Sequence, residues 1–199
     1  MNQQELQKKY GDVKVYAVEN AYIKEMDKKF KSYPADVYEK LIGSNGTFIL
    51  RYKAELDEGY RQIIPYCMIE KNSKYFVTQR LKGDARLVGR YSLGIGGHME
   101  KIDYNDNTDF IQKALRREMY EEVYIDGKID DIKLIGTICS NATAVDRVHY
   151  GMVYLAHISS GDVRVREVEN LKGKWMTRDE LLGEKDQFEV WSQICIENI

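Results

Sequence analysis

The sequence predicts an α/β protein, a sandwich of helices around a mixed β-sheet. Three observations predict it. Short segments alternate apolar and polar residues with a period of two, as half-buried strands do. One long amphipathic helix falls between those segments rather than after them all. A helix start with capping-box spacing, Thr177-Arg178-Asp179-Glu180, follows the last strand segment.

Along the chain, Met1 to Gly11 is polar and lacks the apolar core of a signal peptide. Val13 to Val18 reads as a strand, and a short helix over Ala35–Ile42 follows Pro34 and stops at Gly43. From Thr47 to Leu56, Phe48, Leu50, Tyr52, Ala54 and Leu56 alternate with Arg51, Lys53 and Glu55, which predicts one half-buried strand. Ile63–Ile69 and Tyr75–Leu81 read as two strands joined by a tight turn at Lys71-Asn72-Ser73. Tyr91–Ile95 is a short strand that runs into Gly96-Gly97.

A helix over Thr108–Val123, capped by Asn107 or Thr108, comes next. Strands at Ile132–Cys139, Tyr150–His157 and Lys174–Met176 follow, and the C-terminal helical region ends near Ile196.

The composition narrows the function classes. At 199 residues, 43% hydrophobic and 31% charged, the chain has an ordinary globular balance. A net charge of −2 supplies no global field for nucleic acid or anionic lipid. No apolar run approaches the ~20 residues of a membrane span. Cys67, Cys139 and Cys195 are far apart and odd in number, which argues against a zinc site and a disulfide framework. Reduced thiols and a cytoplasmic location are expected. With Pro34 and Pro65 the only prolines, no Pro-rich linker divides the chain.

The chemistry is concentrated between Gly96-Gly97-His98-Met99-Glu100 and Arg117-Glu118-Met119-Tyr120-Glu121-Glu122-Val123. On a helical wheel Ile111, Leu115, Met119 and Val123 form an apolar stripe, and Glu118, Glu121 and Glu122 span about 100° overlapping one edge of it. A solvated acidic face would lie opposite that stripe. Carboxylates crowded beside it repel one another and raise their own pKa values. A hard divalent cation, Mg²⁺ or Mn²⁺, relieves that conflict. Arg117, beside Glu118 and one turn before Glu121, is suited to orient a carboxylate. On the wheel alone, a metal site and an amphipathic helix with ordinary charges both stand.

The local order of residues adds a resemblance. Gly-Gly-x-x-Glu followed by an amphipathic helix with Arg-Glu-Met-x-Glu-Glu resembles the box of the Nudix family, also called MutT-like hydrolases. That resemblance implies a Nudix-type α/β/α sandwich and a pyrophosphohydrolase acting on a diphosphate linkage in a nucleoside diphosphate derivative or similar small molecule. It implies Mg²⁺ or Mn²⁺ held by Glu118, Glu121 and Glu122, with the Gly96 carbonyl as a further ligand, and a catalytic set that also includes Arg117. Thr78-Gln79-Arg80, Lys174-Trp175-Met176 and Asp179-Glu180-Leu181-Leu182 resemble the family's flanking elements.

The resemblance covers about residues 62 to 197. Residues 1–60 are therefore expected to be an N-terminal extension, a strand and short helix packed on the core, and residues 61–199 the hydrolase domain. Three features depart from the family's pattern. The gap of sixteen residues between Glu100 and Arg117 is longer, with Lys101–Asn107 the natural insertion; Asp109 stands where a glutamate is usual; and Tyr124 replaces a glycine.

The water-activating base is expected outside the box. Glu169, six residues before Trp175, resembles the family's additional loop glutamate. Glu167 is the fallback, and Glu121 or His98 come after it. His149 and His157 read as strand residues. Arg80, Arg86 and Arg90 are candidate phosphate clamps or plain surface arginines. The expected partner is a small-molecule diphosphate, with no nucleic acid and no membrane, and a homodimer is left open. Two rivals are a non-catalytic nucleotide-binding or regulatory module, and isopentenyl diphosphate isomerisation, which would have to draw on Cys67 or Cys139.

Overall fold

The computed structural model describes residues 2–23, 30, 35–82, 88–104 and 109–199. The first half runs helix α1 (Gln3–Tyr10), strand β1 (Lys14–Glu19), α2 (Asn20–Ile23), α3 (Ala35–Asn45), β2 (Gly46–Leu50) and α4 (Arg51–Ala54). Strands β3 (Tyr60–Lys71), β4 (Lys74–Arg80), β5 (Tyr91–Ser92) and β6 (Gly94–Gly96) follow, then α5 (Phe110–Glu122). The remainder is β7 (Val123–Asp126), β8 (Ile129–Ile138), β9 (His149–Ile158), β10 (Asp162–Val165), β11 (Leu171–Thr177), α6 (Arg178–Gly183) and α7 (Val190–Ile196). Helices accompany a large antiparallel sheet, the α/β class that the sequence predicts.

The chain divides into two compact units. The first is Met1–Pro65, Gly97–Leu115 and Ile135–Met152, and the second is Tyr66–Gly96, Arg116–Leu134 and Val153–Ile199. The division falls inside β3, α5, β8 and β9, so each of these gives one end to each unit.

In the first unit β1 pairs with β2, from Lys14↔Leu50 to Val18↔Gly46, and with the start of β3, where Ala17 faces Gln62. Tyr16 lies between the rings of Phe48 and Phe110, at 5.2 and 5.1 Å, and its hydroxyl donates to the Ile42 carbonyl at 2.9 Å. Around it Val15, Ile42, Ile63, Met99, Ile111 and Leu115 are buried.

In the second unit β4 pairs with β11 over Leu171↔Arg80 to Thr177↔Lys74, and β6 pairs with the end of β3 at Tyr66↔Gly96. Met68, Phe76, Leu93, Met119, Val123, Tyr154, Phe188 and Ile194 make its core. The turn expected at Lys71-Asn72-Ser73 is present: Asn72 and Ser73 take φ of 51° and 60°, the paired left-handed residues of a two-residue hairpin. The capping box also forms, with Thr177 Oγ1 accepting from the Glu180 amide while Glu180 accepts from the Thr177 amide.

Three expectations change. The strand expected over Thr47–Leu56 stops at Leu50, and the chain turns into α4. The Arg51 amide donates to the Val13 carbonyl at 2.8 Å, its guanidinium lies 4.2 Å from the centre of the Tyr10 ring, and Leu56 is exposed. Burial of Tyr52 and Ala54 suits one helical turn as well as a strand, and docking on α1 decides between them. The C-terminal helix is broken by a 3₁₀ turn at Lys185–Gln187, because Phe188 is drawn into the core and the Glu189 amide donates to the Tyr91 carbonyl at 2.9 Å. The box helix is followed at once by β7, which pairs with β10 through Val123↔Val165. The expected caps Asn107 and Thr108 lie outside the described residues, as does Pro34.

The segment Lys101–Asn107 is less free than its polarity implies. Residues 105–107 lie outside the described part, but Asp103 is buried and accepts from the Glu100 amide at 2.8 Å. The Tyr104 ring sits 5.7 Å from Phe48 and 5.4 Å from Phe110. Each such edge-to-face pair contributes about 0.5–1.5 kcal/mol. Tyr104→Ala is therefore expected to lower Tm by several degrees in a calorimetric scan. An unchanged Tm would mean that this stretch is a plain surface loop and dispensable.

Candidate functional site

All the residues that the sequence nominates as box ligands fall in the second unit. The last turns of α5 carry the three glutamates. Arg117 Nη1 donates to Glu118 Oε1 at 2.8 Å and to Glu121 Oε1 at 3.3 Å, so one guanidinium spans both carboxylates. The Glu118 side chain is 15% exposed and that of Glu121 56%, so the pair runs from the interior edge of the helix to solvent. Gly96 ends β6 and lies opposite Tyr66 of β3.

Glu122 is the electrostatic centre. Partial burial is the largest cause lifting its pKa, to about 7. Arg80 pulls it down, while Glu118, Glu189 and Glu167 push it further up. Several carboxylates thus act on one that is partly withdrawn from water. Arg80 reaches this cluster from the end of β4. Arg90 instead donates to the Asp186 carbonyl at 2.6 Å, and Arg86 lies outside the described residues.

The loop of the candidate bases follows β10. Its first residue, Arg166, donates from its amide to the Glu122 carbonyl at 2.8 Å and from Nε to the Val123 carbonyl at 3.0 Å. Glu167 comes next. Its carbonyl accepts from the amides of Asn170 and Leu171, both at 2.9 Å, and its carboxylate accepts from Asn170 Nδ2 at 2.9 Å. Glu167 and Glu169 are both exposed, and the charge of Glu167 is among the causes that raise the Glu122 pKa.

Glu189 was not nominated by the sequence. Part of the residue reaches solvent, but its carboxylate lies in a cup of hydroxyls: Ser92 Oγ donates at 2.6 Å, Tyr66 at 3.3 Å and Ser192 at 3.3 Å. Burial pushes its pKa upward against these hydrogen bonds. Tyr66 and Ser192 are themselves 2.8 Å apart, the Gly94 amide donates to the Tyr66 hydroxyl at 2.9 Å, and the Leu93 amide donates to Ser192 Oγ at 2.9 Å. The one available signal was a lone carboxylate among Phe188, Val190 and Trp191.

Because the network is closed, removing one hydroxyl orphans several groups. Tyr66→Phe is expected to cost about 1–3 kcal/mol, read as a lower urea midpoint. A midpoint equal to wild type would mean that water replaces the hydroxyl.

An open cleft of about 820 Å³ lies over β4, β7, β10 and β11, lined among others by Phe76, Tyr124, Arg164, Arg166, Lys174 and Trp175 and by none of the box glutamates. Arg166 stacks over Tyr120 at 4.1 Å and over Tyr124 at 5.5 Å, and Trp175 Nε1 donates to Asp162 at 3.1 Å. Cys67 is fully buried and its thiol is pushed up to about 12, mainly by that burial, which suits packing rather than exchange with a substrate. His157 pairs with Glu70 on β9 and β3, and His98 and His149 face each other in the first unit. Among the described residues no helix is long and apolar enough to cross a membrane.

The fold is of the α/β class with a large antiparallel sheet, and the helix α5 carries three glutamates on its last turns. Comparison with known proteins gives the family. Protein YmaB of Bacillus subtilis (strain 168) is 32% identical over 154 residues, 74% of this chain and 75% of that protein. The crystal structure of Tm1382, described as a putative Nudix hydrolase, matches with TM-score 0.80 at 28% identity, over 92% of this chain and 96% of that one. DR0079 from Deinococcus radiodurans shares the fold, with TM-score 0.54 at 16% identity over 75% of this chain and 89% of that one. No family model matches the chain. The chain belongs to the Nudix hydrolase family.

Proposed function

We propose that this protein is a divalent-metal-dependent pyrophosphohydrolase that cleaves the diphosphate linkage of a nucleoside diphosphate derivative or a similar small molecule. One observation carries the reading: the last turns of α5 put Glu122 beside Glu118 and Glu121, which share the Arg117 guanidinium, and Glu122 is partly buried, with burial and the charges of Glu118, Glu189 and Glu167 raising its pKa. Such a cluster is costly unless cations occupy it, and oxygen donors alone suit Mg²⁺ or Mn²⁺. In this reading Glu118, Glu121 and Glu122 hold the cations, with the Gly96 carbonyl beside them, within a hydrolase domain of residues 61–199.

A bound divalent cation supplies charge neutralisation, polarises the phosphoryl oxygens and lowers the pKa of the attacking water. The chain's own groups do the rest. Arg117 keeps the Glu118 and Glu121 carboxylates in place. A water oxygen forms a bond to one phosphorus, the bridging P–O bond breaks, and the second phosphate leaves with the bridging oxygen. The proton from that water passes to a loop carboxylate, Glu169 or Glu167. The aromatic and cationic lining of the cleft near Tyr124 and Trp175 suits the remainder of a nucleotide-like substrate.

The test is phosphate or nucleotide release from a panel of nucleoside triphosphates, dinucleotides, sugar nucleotides and coenzymes, with and without Mg²⁺. Turnover that disappears on adding chelator is the expected result. A protein that binds members of the panel but turns over none is a binding module, and the proposal then fails.

A further inference from the structure

A second cluster of ligand-type side chains lies in the first unit, wholly among its own residues. Glu55 follows α4, His98 follows the glycines that end β6, and His149 opens β9. One donor atom from each lies within 4.8 Å of the others.

The two imidazoles are held so that like atoms face each other. Nε2 of His98 and Nε2 of His149 are 3.1 Å apart, with the rings edge to face at 5.2 Å. His149 Nδ1 is 2.8 Å from the Val145 carbonyl, which can only accept, so Nδ1 carries the ring proton and Nε2 of the neutral ring offers its lone pair, to which His98 Nε2 donates until a cation displaces that proton. That arrangement, a backbone carbonyl fixing the tautomer of a buried histidine, is how proteins orient metal-binding imidazoles.

The segment before His149 is tied down by hydrogen bonds. The buried Arg61 donates to the carbonyls of Ser140 and Asp146 at 3.0 and 2.5 Å, and Asp146 Oδ2 accepts from the Thr143 amide and hydroxyl at 3.0 and 2.8 Å. Glu55 meets Arg51 through one oxygen at a long 3.4 Å, which leaves its other oxygen geometrically available.

We infer that Glu55, His98 and His149 form a second cation site, one for a borderline transition metal such as Zn²⁺ or Co²⁺, separate from the oxygen-lined box. Two imidazole nitrogens and one carboxylate favour these ions over Mg²⁺. With metal–nitrogen bonds of about 2.0–2.1 Å, adjacent ligand atoms of a tetrahedral ion lie about 3.3 Å apart, a few tenths of an ångström from the observed separation of the two Nε2 atoms. Water completes the fourth position. Because the three ligands come from segments far apart in sequence, the ion works as a staple for this unit.

The experiment is titration of chelator-treated, dialysed full-length protein with Co²⁺, read by visible d–d absorption, and with Zn²⁺, read by thermal shift. Wild type and the double variant Glu118→Gln/Glu122→Gln are expected to develop the Co²⁺ band and gain Tm with Zn²⁺. His98→Gln, His149→Gln and the near-isosteric Glu55→Gln are expected to lose both responses. His98 is only half-buried, so His98→Gln keeps the test alive should His149→Gln misfold, and circular dichroism checks each variant. No band in wild type overturns the inference. So does a band that persists in folded His98→Gln, or one that vanishes in the double box variant. These readouts involve no turnover, so they stand or fall apart from the diphosphate assay.

Discussion

Glu122→Gln is expected to lower turnover by roughly two to three orders of magnitude at limiting Mg²⁺, with the far-ultraviolet spectrum and Tm intact. The amide keeps the size and shape of the carboxylate but removes the negative charge at the point where Glu118, Glu167 and Glu189 converge. Without a cation that charge is a burden on the folded state, because burial is the main cause of the raised pKa. The variant is therefore expected to be at least as stable as wild type in metal-free buffer while losing activity. Glu118→Gln should behave alike in activity, although it also releases Arg117 from its 2.8 Å contact. Full activity in both variants at limiting Mg²⁺ removes the proposed metal site.

The second large effect concerns the base. A positioned proton acceptor is worth typically ~10²–10⁴ in rate, and the box glutamates, engaged with cations, are poor candidates. If Glu169 takes the proton, Glu169→Gln lowers kcat by that order, leaves Mg²⁺ affinity nearly unchanged, and removes the acidic limb of the pH–rate profile. The geometry makes Glu167 an equally pointed test, because its charge acts on Glu122 and its loop is tied to the end of the box helix. Measuring kcat and Mg²⁺ dependence for both variants separates the two residues. Near-normal kcat in both would move the role to another group, with Glu189 the next to test.

What the sequence made legible was local. The box helix shows itself through Ile111, Leu115, Met119 and Val123 at helical spacing, and its glutamates stand out because they share an edge with that stripe. The hairpin at Asn72-Ser73 and the cap at Thr177 are likewise written in adjacent residues. Groups that depend on distant partners were not legible. Glu189 takes its environment from Tyr66, Ser92 and Ser192, which meet only in the folded chain. Glu55, His98 and His149 have no spacing that a motif could register. At Tyr52 and Ala54 the alternation was real, and packing on a helix that periodicity alone did not reveal turned it from strand into α4.

The link from the Arg166 amide to the Glu122 carbonyl bears on how this protein can change over time. It indexes the loop bearing Glu167 to the end of the box helix through main-chain atoms, and β10 keeps count with β7 residue by residue from Asp162↔Asp126 to Val165↔Val123. No side-chain identity sets that count, and among the exposed side chains of the ribbon only those outside the cleft, such as Asp126, are free to drift. Length is not free: one residue added or lost between Val163 and Arg166 would shift Glu167 relative to the end of the box helix. Insertion scanning across this ribbon should therefore find an abrupt boundary in activity where substitution scanning finds tolerance.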